Sequence, residues 1–566
     1  MSRPQIKATL IISLLIACTL VISALAGPSQ LQAPDLVFFN GKIFTSDAAH
    51  PYVQALAIRG ERITATGDSA KIRALIGPHT KQIDLGGRTV IPGINDAHYH
   101  LGVTPANEFH LQFKNSNPTL MEVSEAISAT APKWHEGTII HGYIGPSAYV
   151  DPELNRDFLD KLVPDHPIIL TTVSGHASIL NSAALAKFGV NNGEADPLGG
   201  KYERTPDGRL TGVLREYAEI DLERKLSDLT SDADAVKELA ETLSAAAQYG
   251  ITSIQDMSNA IAPERCLALL GKIPSPIRVR IIRMPGSTPN GRDTREGLSV
   301  LHYHSGLVTV SGSKWMLDGT PLEGTFATRQ AQADLFAEIG RAKSSGAAAA
   351  SLDHSFAVLG LTFPREQLPM MLHESLKEDD QLILHVSGYP SAAAMLDAMQ
   401  SSGGKATWAG RRVRFEHGDG LFPDLLPRVK EMGIIVVQNP AHLGHGFRTA
   451  EARQLRSILA ADIPLALGSD SGGGVNPYLD IMFASTCPDR PSEAITREQA
   501  VIAYTLTSAY AEFAEKEKGS LVPGKLADLA VLSQDIFSVP AADLPKTESV
   551  LTLVGGKIVY DAGVLR

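Results

Sequence analysis

The chain has 566 residues, of which 44% are hydrophobic, and a formal net charge of −11 at pH 7. A chain of this length can bury a large core and suggests two or more structural units, since domains usually have roughly 50–200 residues. Its acidic balance carries no long run of one sign, which argues against nucleic acid or an anionic membrane as the main partner. A small molecule is therefore the expected substrate.

Residues 1–26 are typical of a secretory signal peptide. Arg3 and Lys7 give a positive start, an almost wholly apolar run follows, and the sequence up to Ala26 offers a cleavage site of the A-x-A type. We therefore expect an exported protein, periplasmic or secreted. A lipoprotein signal is the alternative, because the Leu-Ile-Ala-Cys sequence ending at Cys18 resembles a lipobox. Without a lipid on Cys18 we expect no stable association with a membrane.

Short strand-like runs occupy both ends of the chain beyond this segment. Residues 36–39 and 42–45 flank Asn40-Gly41, which predicts a hairpin with a two-residue turn. Similar short strand-like runs recur at residues 528–532 and 550–560. These runs predict one composite β-sandwich domain built from residues 33–90 and 521–566.

Between these ends, eight strand-like runs alternate with helical stretches, which is typical of βα units and a parallel sheet. Eight such units predict a (β/α)8 TIM barrel, an α/β fold, within residues 91–520, with its chemistry at the C-terminal strand ends. Residues 101–249 carry their own strand-like run and predict an α/β insertion that caps the barrel mouth. The eight runs cover residues 89–96, 251–256, 277–284, 307–316, 381–385, 412–417, 433–438 and 464–469.

The first of these runs ends in Asp-Ala-His-Tyr-His, with His98 and His100 as its two imidazoles. Residues two apart on an extended strand point to the same side, so both imidazoles face one point and can chelate a divalent cation. An isolated His-x-His pair is also common as an accident of the surface. Here the pair follows an apolar strand, where the active sites of barrels lie, which favours a metal-binding role.

Three further runs end in a candidate ligand: His385, His417 and Asp470. A single histidine at a strand end is usually structural, and an aspartate there often caps a helix or forms a turn. Four imidazoles on three strand ends, however, point to a metal. Two cysteines far apart beyond the signal segment fit no zinc knuckle, so we expect only nitrogen and oxygen ligands.

Lys314 lies within the fourth run, between Ser313 and Trp315. A buried lysine is costly unless it is paired or chemically changed. Carboxylation by carbon dioxide would make it an anionic ligand that bridges two ions, whereas an ion pair with Asp318 is the structural alternative. The residues alone do not choose between the two.

The sequence from Asp96 to His100 resembles the D-x-H-x-H signature of the amidohydrolase superfamily. The order of the two histidines, Lys314, His385, His417 and Asp470 along the strands is similar to its metal site. Residues 175–182 and 206–216 resemble insertion motifs of the YtcJ-like amidohydrolases (family 3), which include N-substituted formamide deformylase. The segment 519–529 is similar to the superfamily's return into the β domain.

This resemblance implies a divalent metal, with zinc as the expected ion, in one or two copies, the latter with an N6-carboxylysine at Lys314. It implies hydrolysis of a carbon–nitrogen bond, in an amide, N-acyl or N-formyl group of a small organic substrate. Asp470 would accept the proton of the attacking water, while His417 or His442 would stabilise the oxyanion. Further candidates for contact with substrate are His176, Asp318 and Tyr389.

Two loops depart from the family pattern, namely those after His385 and after Asp470. The substrate of a relative is therefore a poor guide to the substrate of this chain. Hydrolysis of an ester or lactone at the same site is one alternative, and deamination or isomerisation is another. An exported binding or regulatory protein that keeps the fold without turnover is a third. The oligomeric state stays open, with a homodimer as one candidate.

Overall fold

The computed structural model describes residues 33–115, 117–292, 302–323, 355–441, 454–471, 476–488 and 490–565, together with positions 334, 337 and 341. The predicted signal segment, including Cys18, and the candidate His442 lie outside the described residues. No helix within these ranges is long and apolar enough to cross a membrane.

Eight parallel strands form the barrel. They are buried along nearly their whole length, as expected for parallel strands with both faces covered. In chain order, barrel strands 1 to 8 are Ile94–Tyr99, Ile251–Ser258, Arg278–Arg283, Val308–Met316, Leu382–Val386, Arg414–His417, Ile435–Gln438 and Leu465–Leu467. Each pairs with the next in this order. The predicted barrel is confirmed.

Strand 8 returns to strand 1 through the residues that follow the two strands. The amide of Asp470 donates to the carbonyl of His98 at 2.7 Å, and the amide of His100 donates to the carbonyl of Ser471 at 3.2 Å. Gly468 allows this approach, because a Cβ there would lie 2.4 Å from the amide nitrogen of His98. Closure thus brings the first and last candidate ligands side by side.

Helices pack their apolar sides against the barrel. The longest, Asp232–Gln248, begins at Ser231, whose hydroxyl caps the amide of Asp234, and it buries Leu239 and Leu243 at helical spacing. The other described helices of this layer are Pro263–Leu270, Leu368–Glu378, Tyr389–Ser401, Gly404–Trp408, Leu426–Glu431, Leu455–Ala460, Pro477–Thr486, Arg497–Ile502 and Ser508–Ala511, the last two joined by a π-helical turn at Ala503–Thr507.

Two sheets enclose a separate apolar core and contain strands from both ends of the chain. In spatial order, the four-stranded sheet consists of Arg62–Gly67, Ala55–Arg59, Leu36–Phe39 and Lys81–Asp84. The six-stranded sheet consists of Lys557–Asp561, Ser549–Val554, Leu529–Leu532, Thr89–Pro92, Lys42–Phe44 and Tyr52–Val53. The composite β-sandwich is confirmed. The helix Ser69–Arg73 packs on the smaller sheet.

The predicted hairpin at Asn40-Gly41 is wrong, because its two strands belong to different sheets. All four residues of Leu36–Phe39 are buried, and the strand already has a partner on each side, at 55–59 and 81–84. The turn, with Asn40 at φ +56°, instead carries the chain from the smaller sheet to Lys42–Phe44 in the larger one.

The first predicted run, residues 89–96, is also two strands rather than one. Thr89–Pro92 pairs with Leu529–Leu532 in the sandwich, whereas Ile94–Tyr99 begins the barrel. The chain changes sheet at Gly93, where a Cβ would lie 2.1 to 2.7 Å from three side-chain atoms of Thr252. A continuous apolar run hides this break, because both strands are buried.

The insertion after strand 1 is an α/β unit with a six-stranded mixed sheet, as predicted. In spatial order its strands are Gly200–Arg204, Leu210–Glu216, Ala177–Leu180, Ile168–Thr172, Ile139–Ile144 and Glu108–His110. Its helices are Leu120–Thr130, Pro146–Tyr149, Arg156–Leu162, Ser182–Lys187 and Tyr217–Ser227.

We expect Gly93→Ala to lower the free energy of unfolding by about 1–3 kcal/mol, because the methyl group overpacks against Thr252. Gly410→Ala is the matched control, since a Cβ at Gly410 meets no atom within 4 Å. Urea unfolding of both variants measures the difference. Equal stability of the two variants would contradict the close approach at Gly93.

Candidate metal centre

The C-terminal ends of the barrel strands open into a cavity of about 480 Å³ that lies between the barrel and the insertion. Barrel sites lie at this end because loops from all eight strands converge there. The cavity is lined by the predicted residues His100, Lys314, His385, His417 and Asp470, and by His176 from the insertion.

His98, His100 and Asp470 form the closest group in this region. Oδ1 of Asp470 lies 2.8 Å from Nε2 of His100 and 3.3 Å from Nε2 of His98. One donor atom from each of the three residues lies within 4.8 Å of the other two. Two imidazole nitrogens and a carboxylate oxygen match the ligand preference of Zn²⁺.

His385 and His417 lie against this group. The ring of His417 is 5.1 Å from that of His98 and 4.4 Å from that of His385, measured between centroids. The backbone of His417 has φ +70° and that of Asp470 has φ +51°. A left-handed backbone is costly for residues other than glycine, and it often marks a functional position.

Buried carboxylates orient two of the four imidazoles. Nδ1 of His98 donates to Oε2 of Glu416 at 2.6 Å, and Nδ1 of His385 donates to Oδ1 of Asp318 at 2.9 Å. All four side chains are buried. With the proton held on Nδ1, Nε2 of each ring keeps its lone pair, as a metal ligand requires.

Asparagine side chains orient the other two imidazoles. Nδ1 of His100 lies 2.6 Å from Oδ1 of Asn259, whose amide group donates to Glu223 at 2.6 Å. Nδ1 of His417 lies 2.9 Å from Oδ1 of Asn439, whose amide group donates to the carbonyl of Gly468, just after strand 8. Because each amide NH₂ is engaged elsewhere, its oxygen faces the imidazole and accepts from Nδ1.

Burial favours the neutral, ligating form of two of these histidines. It lowers the pKa of His98 to about 4, helped by the charge of Lys314, and it lowers the pKa of His385 well below its usual value. For His100, the hydrogen bond and charge of Asp470 outweigh burial and raise the pKa. A proton and a divalent cation therefore compete for the position between His100 and Asp470.

Lys314 is buried at the end of strand 4, and its Nζ lies 3.1 Å from Nε2 of His98. Burial lowers its pKa to about 8, although Glu416 and Asp470 act in the opposite direction. The described residues contain no Lys314–Asp318 ion pair. Asp318 instead accepts hydrogen bonds from the ring of His385 and from the backbone amides of Ser387 and Gly388.

Of the three candidate substrate-contact residues, only His176 lines the cavity. His176 lines the cavity, its ring 4.8 Å from that of His385, and its Nδ1 bonds to Glu216 at 2.8 Å. Asp318 is fully buried behind His385, where it orients that ring. Tyr389 lies outside the cavity lining and donates to Asp424 at 2.8 Å.

Several positioning residues escaped the sequence analysis, above all Glu416, Asn259 and Asn439. Glu416 could have been identified from the sequence, because it stands two residues after Arg414 on the same strand, so the two share one face; they pair at 2.7 Å. Asn259 and Asn439 could not have been, because each lies in a loop just beyond a barrel strand.

Nitrogen and oxygen donors gathered at the strand ends of a barrel form a candidate divalent-metal centre. The chain belongs to the amidohydrolase family, whose sequence model matches residues 81–560. As a member, it is a metal-dependent hydrolase of the class that acts on non-peptide carbon–nitrogen bonds, and a small molecule is its substrate. The family resemblance predicted from the sequence is confirmed.

The chain is similar to three known proteins, two by sequence and one by structure. Protein LONG AFTER FAR-RED 3 of Arabidopsis thaliana is 29% identical, over 95% of this chain and 94% of the relative. N-substituted formamide deformylase of Arthrobacter pascens is 26% identical, over 94% of this chain and 99% of the relative. A metal-dependent hydrolase of Pyrococcus horikoshii has a TM-score of 0.63 at 18% identity, over 90% and 99% of the two chains, and shows the fold.

We expect Asn259→Ala to weaken metal binding by about 10- to 100-fold, because it frees the proton on His100 to move to Nε2. Titration against a chelator of known affinity measures the change. Asn155→Ala is the control: it removes a helix cap in the insertion and costs stability without touching the centre. Equal metal affinities in the two variants would contradict the orienting role of Asn259.

Proposed function

We propose that the chain is an exported amidohydrolase that cleaves an amide, N-acyl or N-formyl bond of a small organic substrate at the strand-end centre, with zinc as its ion. The observation that carries the proposal is the position of Asp470, a cavity-lining carboxylate 2.8 Å from His100. The deformylase relative, which aligns over almost the whole chain, supports a carbon–nitrogen bond as the target.

The residues present suit this chemistry. A divalent ion held by the histidines and Asp470 would lower the pKa of a water molecule bound to it to about 7. Asp470 is placed to take the proton of the attacking water and to return it to the leaving nitrogen. His417 lines the same cavity, with its Nδ1 bonded to Asn439, so its Nε2 can serve as a ligand or face the developing oxyanion.

Lys314 is proposed to carry a carboxylate and to bridge two ions. Its lowered pKa increases the fraction of neutral amine, which is the form that reacts with carbon dioxide. Carboxylation would replace the ammonium group of Lys314, which lies 3.1 Å from Nε2 of His98, with an anionic carbamate.

Asp470→Asn should lower kcat by about 10²–10⁴-fold, because the amide cannot accept the proton. N-formyl and N-acetyl amines are the probe substrates, and metal content is measured on the same samples so that rates are compared at equal occupancy. Asp462→Asn, an exposed position just before strand 8, is the control and should keep full activity. An unchanged kcat in Asp470→Asn would overturn the proposed role.

If Lys314 is carboxylated, Lys314→Met should lose one equivalent of zinc per chain, while Lys272→Met, at an exposed position just after the helix Pro263–Leu270, loses none. Elemental analysis counts the ions, and a high-resolution density map shows whether Nζ carries the additional group. An unmodified amine on Lys314 in a zinc-loaded crystal would rule out the bridged pair.

Esters or lactones are the nearest alternative substrates, since the same centre could attack either acyl group. Comparison of kcat/KM for matched amide and ester probes, at equal metal occupancy, distinguishes the two. A metal-loaded protein that hydrolyses neither class would support a binding role. Export rests on residues 1–26 alone, and N-terminal sequencing of the mature protein, expected to begin at Gly27, tests it.

A further inference from the structure

A second group of potential metal ligands lies in the insertion, away from the barrel strands. Glu108 and His110 are two residues apart on one strand, so their side chains share a face. His141, on the neighbouring parallel strand, stands opposite His110 in register. One donor atom from each of these residues lies within 4.8 Å of the other two.

The two imidazoles converge on a single carboxylate oxygen. Oε1 of Glu108 lies 2.7 Å from Nε2 of His110 and 2.8 Å from Nδ1 of His141. These separations suit a group that opens slightly around an ion, because Zn²⁺ bonds to nitrogen and oxygen at about 2.0–2.2 Å.

Glu108 has unused binding capacity. Its side chain is fully buried, and among the described residues its Oε2 has no hydrogen-bond partner. A buried carboxylate oxygen without a partner is uncommon in proteins, and a bound ion is one explanation for it. A cation at this position would supply the missing interaction.

His141 is oriented in the same manner as the histidines of the strand-end centre. Its Nε2 lies 2.8 Å from the hydroxyl of Thr171, which is itself 2.8 Å from the hydroxyl of Ser178. If Nε2 donates to Thr171, Nδ1 of His141, which faces Glu108, can give its lone pair to an ion bound there.

The surroundings favour a cation. Glu108, His110 and His141 line the 480 Å³ cavity, so an ion can enter from it. Besides Glu108, four glutamates line the same cavity: Glu216, Glu219, Glu223 and Glu238. Lys314 is the one lysine or arginine among its described lining residues. Oε2 of Glu219 is likewise buried and has no hydrogen-bond partner among the described residues.

We propose that Glu108, His110 and His141 form a second divalent-metal site, separate from the strand-end centre. Two imidazole nitrogens and one carboxylate oxygen select a borderline ion such as Zn²⁺, Co²⁺ or Ni²⁺ over Ca²⁺ or Mg²⁺. Three protein ligands leave a fourth position that faces the cavity, open to water or to an oxygen or nitrogen donor of a bound molecule. This second site does not depend on which reaction the strand-end centre catalyses.

The test uses the full chain equilibrated with zinc and freed of excess metal by gel filtration. Zinc per chain should fall by one equivalent in His110→Ala, and an anomalous difference map of zinc-loaded crystals should show a peak between Glu108, His110 and His141. His79→Ala, at an exposed position of the sandwich, is the control and should keep the wild-type content.

A background variant isolates the site. In His98→Ala/His100→Ala, which disables the strand-end centre, one equivalent of zinc should remain, and adding His110→Ala should remove it. Thermal unfolding identifies any variant that fails to fold, and His110 suits this design because its side chain is 38% exposed. Equal zinc content in wild type and His110→Ala, or anomalous peaks at the strand-end centre alone, would show that the cluster is only a hydrogen-bonded network.

Discussion

Backbone hydrogen bonds join the residues after the last barrel strand to the end of the first, among them the bond from the amide of Asp470 to the carbonyl of His98. The two residues lie far apart in the chain, and closure alone makes them neighbours. Gly468 leaves the space for this approach, while the Asp96 carboxylate binds the amides of His98 and Ser469 at 3.1 and 3.0 Å. The relative positions of the candidate ligands are therefore set by the closure of the barrel, which brings strand ends from distant parts of the chain together.

Charge buried beneath the centre keeps the ligands in their binding form. Burial alone would raise the pKa of Glu416, but the charge of Arg414 and the bond to His98 outweigh it and lower this pKa to about 2. Glu416 is thus ionised across the physiological range, and the proton on Nδ1 of His98 always has an acceptor. Arg414 binds both oxygens of Glu416, at 2.7 and 2.9 Å, so the carboxylate is paired as well as buried.

Much of the fold could be predicted because strand-end histidines and apolar runs are local signals. The spacing of His98 and His100 needs only the two-residue repeat of a strand. The sheet change at Gly93 could not be predicted, since two buried strands in succession read as one. Glu108 and His141 were missed because they lie on separate strands of the insertion, and no short motif joins them. Contacts between distant segments require the folded backbone.

The pairing of Thr89–Pro92 with Leu529–Leu532 has a consequence for the order of folding. The segment that leads directly into barrel strand 1 is held by a strand near the other end of the chain. Such long-range contacts slow folding, because a large loop must close before they form. During synthesis, a chain that has not reached residue 532 lacks this partner. The strand that carries His98 and His100 therefore gains this support only after residues 529–532 have been made.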